Sequence, residues 1–375
     1  MTLSDELDRL PEEMRPVLER HRFNRERLIE QSERLKQGLM LDNRVTGRVE
    51  PPEPSDLAEL PETGSADWKR LQAIGLEALR VGHCALIVLA GGMATRMGGG
   101  VKALMEALPG KSFLDLRLAE LSAIERQVGR AAPLWLMTSY ATDKKIRKAL
   151  GAAVDGERIA VFSQHLSLRV TPSGELFCDA SGNPSEYAPG HGDLPDALRE
   201  SSLISRFVER GGQLVTVANL DNLGATLDPV VLGFHLDHGA TVTCEVVDNL
   251  GSDRGGIPAR HDGHLEILEE FRLPEGFDAS KVKVFNSNTF HFDARALSEL
   301  DFDFTFFAVR KQVDGREVIQ FERLIGELTS RLETRFLRVP RVGAASRFLP
   351  VKDPEELERR RPEIEAVARA RGMLP

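Results

Sequence analysis

Five apolar runs separated by stretches of helical rhythm predict an α/β protein built on a doubly wound, mostly parallel mixed sheet. The runs are CALIVLA (84–90), APLWLMTS (132–139), RIAVFSQ (158–164), QLVTVANL (213–220) and ATVTCEVV (240–247). Two further observations point to the cleft of such a sheet. A glycine-rich segment directly follows the first run, and Asn219-Leu220-Asp221 closes the fourth. In open sheets of this kind ligands bind outside the carboxyl ends of the strands, so loops behind different runs converge there.

Taken in order, residues 1 to 40 alternate charge and leucine at helical spacing, as in FNRERLIEQSERLKQGL. A proline-rich link, VEPPEPSDLAELPE, separates them from a further expected helix at 66–81. The α/β section follows, and the chain closes on a charged helix, DPEELERRRPEIEAVARARG. There is no internal repeat and no low-complexity segment. The expected organisation is an N-terminal helical segment (1–80), an α/β core (81–300) and a C-terminal segment (301–375).

Composition bounds the function. With 375 residues and 41% hydrophobic content the chain can bury a large core. A net charge of −9 excludes a general nucleic-acid binder, which would carry a basic face. Cys84, Cys178 and Cys244 are widely spaced and odd in number, which suggests neither a disulfide framework nor a zinc site. The N-terminus, MTLSDELDRLPEEMRPVLER, is too charged for a signal peptide, and no run approaches an 18-residue membrane span. A soluble, cytoplasmic protein with no membrane partner is expected.

The segment IVLAGGMATRMGGGVKAL (87–104) is chemically the most informative. Glycines 91, 92, 98, 99 and 100 are expected to permit positive φ and close backbone approach. Exposed amides together with Arg96 and Lys102 would form an anion cradle. The spelling is neither G-x-x-x-x-G-K-[ST] nor G-x-G-x-x-G, so this is not a P-loop or a dinucleotide turn. Asp221, just past a buried strand, is a hard oxygen ligand, and magnesium is commonly held by one or two carboxylates with substrate phosphates and waters. YAPGHGDLPDAL sets Gly190, His191 and Asp193 ahead of a helix. KVFNSNTFHF spaces Asn286 and Asn288 two apart on an apolar strand, hence on one face. ASRFLPVKDPEEL carries Lys352 before a proline-marked helix start. Singly, each has an ordinary structural explanation as a turn, a hairpin or solvated surface.

Together and in order, LAGGMATRMGGGVKAL, GKSFLDL, MTSYATDKKI, YAPGHGDL, ANLDNLGATLDP, DRGG, FNSNTFHF and SRFLPVKDPEEL closely resemble the UTP–glucose-1-phosphate uridylyltransferase family, the UDP-glucose pyrophosphorylase type. The resemblance implies a GT-A-like nucleotidyltransferase core that transfers UMP from UTP to a sugar 1-phosphate. It implies that Leu89, Ala90, Gly91 and Gly92 contact the uridine, that Gln164 and Gly190 read the uracil, and that Arg96 and Lys102 meet the phosphates. By the same resemblance His191 lies near the sugar phosphate, Asn219 and Asp221 match the ribose and Mg²⁺ positions, and Asn286 and Asn288 match the hexose-hydroxyl contacts. Lys352 matches the lysine associated with phosphate binding and catalysis.

Three departures matter. Val101 stands where the family commonly has proline before the loop lysine. Arg254-Gly255-Gly256 replaces Lys-Gly-Gly, keeping the charge with another geometry. Only 23 residues follow Lys352, too few for the C-terminal β-helix used in eukaryotic oligomers, so a monomer is expected, with a dimer through the N-terminal helices as the alternative.

The chemistry of the residues agrees with the resemblance. A sugar phosphate is already an anion at neutral pH, so its in-line attack on the α-phosphorus needs no general base. It needs local positive charge, which Lys, Arg and Mg²⁺ supply. Glucose 1-phosphate is the expected acceptor, with galactose or N-acetylhexosamine 1-phosphates as alternatives. A UDP-sugar-dependent glycosyltransferase is disfavoured by Asn-Leu-Asp in place of Asp-x-Asp and by the glycine loop with its lysine. A non-catalytic sensor is disfavoured because Lys102, Asp221 and Lys352 are all present. A metal hydrolase built on His235-Leu-Asp-His238 fails for want of the H-E-x-x-H glutamate.

Overall fold

The computed structural model describes residues 2–40, 42–93, 99–251 and 255–375. At its centre lies an eight-stranded sheet. In chain order the strands are β1 (Leu57–Glu59), β2 (Cys84–Leu89), β3 (Leu134–Thr138), β4 (Ile159–Ser163), β5 (Leu214–Asn219), β6 (Val242–Asp248), β7 (Val284–Asp293) and β8 (Thr334–Arg338). Their spatial order is β1-β8-β6-β7-β5-β2-β3-β4. All run parallel except β7, which is antiparallel to both β5 and β6.

The five predicted apolar runs are β2 to β6. They are buried on both faces, as a parallel sheet covered by helices requires. Along β2, Cys84, Leu86 and Val88 join one core layer with Leu116 and Ile364, whereas Ala85 and Ile87 join the opposite layer with Trp135, Phe207 and Val231. The expected helix at 66–81 spans Ala66–Val81. Ser65 caps it by accepting the Trp68 amide proton, and Gly82 ends it in the left-handed region (φ 83°). The closing helix, Pro354–Ala370, starts on an Asp353 cap and continues past Pro362.

The N-terminal charge–leucine rhythm resolves into three helices, Leu3–Asp8, Arg15–Arg20 and Arg25–Lys36. Their leucines (3, 7, 18, 28 and 35) form a third core with Leu166, Leu168, Val170, Ile319 and Phe321. The proline-rich link holds two short strands that the sequence does not announce. Val49–Glu50 pairs with Ile257–His261, and β1 extends the sheet beside β8. The sheet therefore draws on strands from either side of positions 80 and 300. Among the described residues no helix is long and apolar enough to cross a membrane.

Candidate active site

Strand order reverses between β2 and β5: from β2 the chain goes outward to β3 and β4, and β5 returns on the other side. This is the switch point where open α/β sheets bind ligands. Leu89 at the end of β2 lies opposite Asn219 at the end of β5 and Met137 near the end of β3. The loops behind these strands carry most of the predicted residues.

The glycine segment closes on itself through a bridge between Met93 and Val101, which brings Lys102 back to the strand end. Lys102 Nζ lies 2.7 Å from Asp221 Oδ2, and the Val351 amide donates to the same oxygen at 3.3 Å. Three segments far apart in sequence thus meet on one partly buried carboxylate. Lys352 itself is different: its amide donates to Glu356 Oε2 at 2.8 Å, and its exposed ammonium makes no hydrogen bond or ion pair among the described residues. The structure brings the Lys352 backbone segment, not its charge, to Asp221. Arg96 lies outside the described residues.

Of the loop glycines described, one serves an unusual φ and one a close approach, while a β-carbon at Gly92 or Gly100 would meet open space. Among those described in the loop only Gly99 is left-handed (φ 77°), whereas Gly91, Gly92 and Gly100 are not, which corrects the expectation for them. Gly91 lets the Gln164 amide lie against the backbone: a β-carbon there would lie 2.2 Å from Gln164 Nε2 and would displace the end of that side chain. Among the described residues the buried Gln164 side-chain oxygen has no partner, the state expected of a group awaiting a ligand. Ala90 is buried with both backbone groups engaged: its amide donates to Met137 and its carbonyl accepts from Thr142 Oγ1. Ser139 Oγ donates to the Gly91 carbonyl at 2.9 Å. Ser139 and Thr142 therefore hold the loop, a role the sequence reading did not assign them.

Gly190 (φ 101°) packs against the Arg323 carbonyl, leaving no room for a side chain. Asp193, fully buried, accepts from the His165 amide and from Arg323 Nε (2.7 Å), and so anchors the PGHGD turn. His191 Nδ1 accepts the Ile325 amide proton at 3.0 Å, which leaves the ring proton on Nε2. Burial pushes this imidazole down to about 4. At neutral pH His191 is a neutral donor, not a cation.

Asn286 and Asn288 meet, but not by strand alternation. The pairing of β6 with β7 shifts register between Glu245 and Val246, and Asn288 takes a left-handed conformation (φ 55°) that asparagine tolerates. The Asn288 amide donates to Asn286 Oδ1 (2.9 Å), and its side chain donates to Asn219 Oδ1 (3.0 Å). This chain of contacts links the ribose and hexose positions implied by the resemblance.

Sequence reasoning missed Glu269. A β-carbon added at Gly256 would lie 2.8 Å from Glu269 Oε1 and 3.4 Å from Asn286 Nδ2, so carboxylate and amide converge on bare glycine backbone. Burial pushes the Glu269 carboxyl up to about 7 against a smaller pull from Arg272. Nothing in HLEILEE marks one glutamate over its neighbours. Beneath the site, Arg117 is fully buried, pairs with Glu120 (2.9 Å) and donates to the carbonyls of Asn219, Asn222 and Ala225. Arg347 pairs with the buried Glu245, which also takes His291 Nε2 at 2.7 Å. These ion pairs hold the strand-end loops from below.

Among the described residues no group of three or more His, Cys, Asp or Glu side chains could hold a metal on its own. A lone carboxylate such as Asp221 nevertheless fits magnesium, which dehydrates reluctantly and commonly takes most of its ligands from substrate and water.

Comparison with known proteins gives consistent findings. The family model for UTP–glucose-1-phosphate uridylyltransferase matches residues 44–359. The UTP–glucose-1-phosphate uridylyltransferase of Hordeum vulgare is 30% identical over 301 residues, 75% of this chain and 63% of the relative. A probable enzyme of that name from Schizosaccharomyces pombe is 32% identical over 328 residues, 78% of this chain and 64% of the relative. The chain thus spans about six-tenths of the length of these curated relatives. Among solved structures, a uridine diphosphate N-acetylglucosamine pyrophosphorylase from Trypanosoma brucei superposes with a TM-score of 0.76 at 20% identity, covering 95% of this chain and 81% of that one. A UDP-glucose pyrophosphorylase from Leishmania major gives 0.71 at 24% identity, covering 88% and 73%. At these identities the likeness establishes the fold.

Proposed function

The chain belongs to the UTP–glucose-1-phosphate uridylyltransferase family, and from that premise we propose that it transfers UMP from UTP to glucose 1-phosphate, giving UDP-glucose and pyrophosphate. The observation that carries the proposal is the meeting of Lys102, Asp221 and the Val351 amide at the sheet's switch point. A cation and a carboxylate at 2.7 Å stabilise one another in the free protein and are both suited to a polyphosphate with its metal.

In the proposed step a phosphate oxygen of the sugar phosphate bonds to the α-phosphorus as the bond to the bridging α–β oxygen breaks. Pyrophosphate leaves with that electron pair. Lys102, Lys352 and Arg96 neutralise charge on the two polyanions. Gln164, Gly91 and Gly190 form the base pocket, with Leu89, Ala90 and Gly92 on the uridine and Asn219 at the ribose. His191 donates its Nε2 proton to the sugar phosphate without becoming charged. Asn286, Asn288 and Glu269 face the hexose hydroxyls. Asp221 would hold Mg²⁺ together with substrate oxygens and water, and the ion would supply further charge neutralisation at the phosphates. The cysteines are free, with Cys84 and Cys244 buried, which supports a reducing, cytoplasmic setting.

The test is pyrophosphate release with Mg²⁺, comparing UTP with the other nucleoside triphosphates and glucose 1-phosphate with galactose and N-acetylglucosamine 1-phosphates. Release that requires UTP and glucose 1-phosphate supports the proposal. Release with another sugar phosphate moves the specificity, and silence with all of them removes the activity.

Glu269 adds a pH prediction. A carboxylate accepting hydroxyl protons loses that capacity as it protonates, so KM for the sugar phosphate is expected to rise as pH falls below about 7. Glu269→Gln should flatten the component that the substrate's own ionisation does not explain. Stability moves the other way. The folded state holds the proton up to about 7 and the unfolded chain only to 4.5, so this group's contribution falls as pH rises through that window. Glu269→Gln is therefore expected to have a higher Tm than the parent at pH 8, with the gap closing near pH 4.5. An unchanged KM–pH profile in the variant would sink this assignment.

A further inference from the structure

We propose that Asn222 is a positioning residue for the transfer step: it fixes the loop that ends in Lys352 against the loop that carries Asp221. This rests on the uridylyltransferase reading and extends it to a residue that meets no substrate.

Asn222 is wholly buried one residue past Asp221. Its Nδ2 donates to the Arg347 carbonyl at 3.0 Å, and its Oδ1 accepts the Leu349 amide proton at 2.8 Å. A donor faces a carbonyl and an acceptor faces an N–H, so only one orientation of the amide satisfies both. Two residues on, the Val351 amide reaches Asp221 Oδ2. Residues 347, 349 and 351 are thus tied, at alternate positions, to the consecutive residues 222 and 221. The next residue is Lys352.

The Asn222 loop is itself fixed. Arg117 holds its carbonyls at 219, 222 and 225, and Asn222 donates its amide proton to the Asn219 carbonyl at 3.2 Å. The Lys352 loop is fixed less directly. Arg347 anchors its start on Glu245 and the Thr226 carbonyl, but past 347 the ties toward the site are the Leu349 and Val351 amides. One of those ties is to a residue proposed to bind metal, so Asn222 supplies the tie that substrate binding need not disturb.

A leucine would fill this volume without the cost of burying an amide with four hydrogen-bonding sites. What asparagine adds is direction. Displacing a reacting group by about 1 Å can cost about 10²-fold in rate. Among the described residues the Lys352 ammonium has no partner to restore its place.

The experiment is a double-mutant cycle on the full chain, reading kcat and KM for UTP. Asn222→Ala, and Asn222→Asp, which keeps the shape but places an acceptor against the Arg347 carbonyl, are each expected to lower kcat by about 10- to 100-fold. KM for UTP should change less than about threefold. In a Lys352→Ala background neither should cause a comparable further loss, because the position of an absent ammonium cannot matter. Additive losses in that background, or an unchanged kcat, would overturn the proposal. Should these variants fold poorly, Asn222→Ser, whose hydroxyl cannot span both partners, takes their place. Hydrogen exchange then reports the tie directly: the Leu349 and Val351 amides should exchange faster in the variant, and unchanged protection would refute it. A wild-type protein that releases no pyrophosphate would instead remove the activity reading, an outcome separable from both.

Discussion

Lys352→Ala is expected to lower the rate of UTP-dependent pyrophosphate release by a factor on the order of 10²–10³ while leaving the fold intact. Loss of one charge contact at a transferring phosphoryl group has that typical size, because the charge acts where negative charge develops in the transition state once substrate is bound. The stability half of the expectation follows from exposure. The Lys352 ammonium is exposed and has no partner to lose among the described residues, so the substitution belongs with surface changes worth within about 0.5 kcal/mol. Asp221→Ala should be comparably slow but for another reason, and differently responsive. It strips Lys102 of its 2.7 Å partner and removes the one carboxylate proposed for Mg²⁺, so extra Mg²⁺ should not restore activity. The measurements are kcat from coupled pyrophosphate detection and Tm for both variants. Wild-type turnover by Lys352→Ala would remove that lysine from the mechanism, whatever the activity proves to be.

The residues at issue differ in how far the sequence could reveal them. Buried parallel strands read as continuous apolar runs, so β2 to β6 stand out, and with them the strand ends that carry Gly91 and Asp221. β1 and β8 do not stand out. They are three and five residues long, and their pairing of Leu57 with Phe336 joins distant parts of the chain. The reversal of β7 and its bulge were equally hidden, since alternation predicts a face but not a partner or an irregularity. The same distinction divides the site. Lys102 and Asp221 are legible because the local strand–loop grammar aims them at the cleft. Asn222, Arg347 and Glu269 are not, because their meaning comes from what surrounds them in space. An arginine in SRFLPVK looks like any surface arginine until Glu245 is found buried against it.

That burial makes Arg347→Met the substitution expected to cost most stability. Arg347 is about 1% exposed and Glu245 0%, and the guanidinium engages the carboxylate with Nε at 2.8 Å and Nη2 at 2.5 Å. Burial works to raise the Glu245 carboxyl, but the charge of Arg347 and the hydrogen bonds from His291 and Arg347 outweigh it and hold it below 4.5. Removing the arginine leaves a buried carboxylate with only His291 to answer it, which typically costs about 3–5 kcal/mol. At about 2.1 cal/mol/K of unfolding entropy per residue, 375 residues convert this to a fall in Tm of about 5 °C. The sign of the pH dependence follows. In the parent the depressed carboxyl adds stability above 4.5 that is lost as pH falls through its folded value. In Arg347→Met the carboxyl is no longer depressed and protonates at higher pH, relieving the unpaired charge. The gap in Tm between parent and variant should therefore be widest near pH 7 and narrow toward pH 4.5. Glu245→Gln combined with Arg347→Met should recover much of the loss, because no charge then remains unpaired while an amide still faces His291. A double variant as unstable as Arg347→Met alone would mean that the lost contacts with the Thr226 carbonyl and with Asp228, and not the orphaned Glu245 carboxylate, dominate.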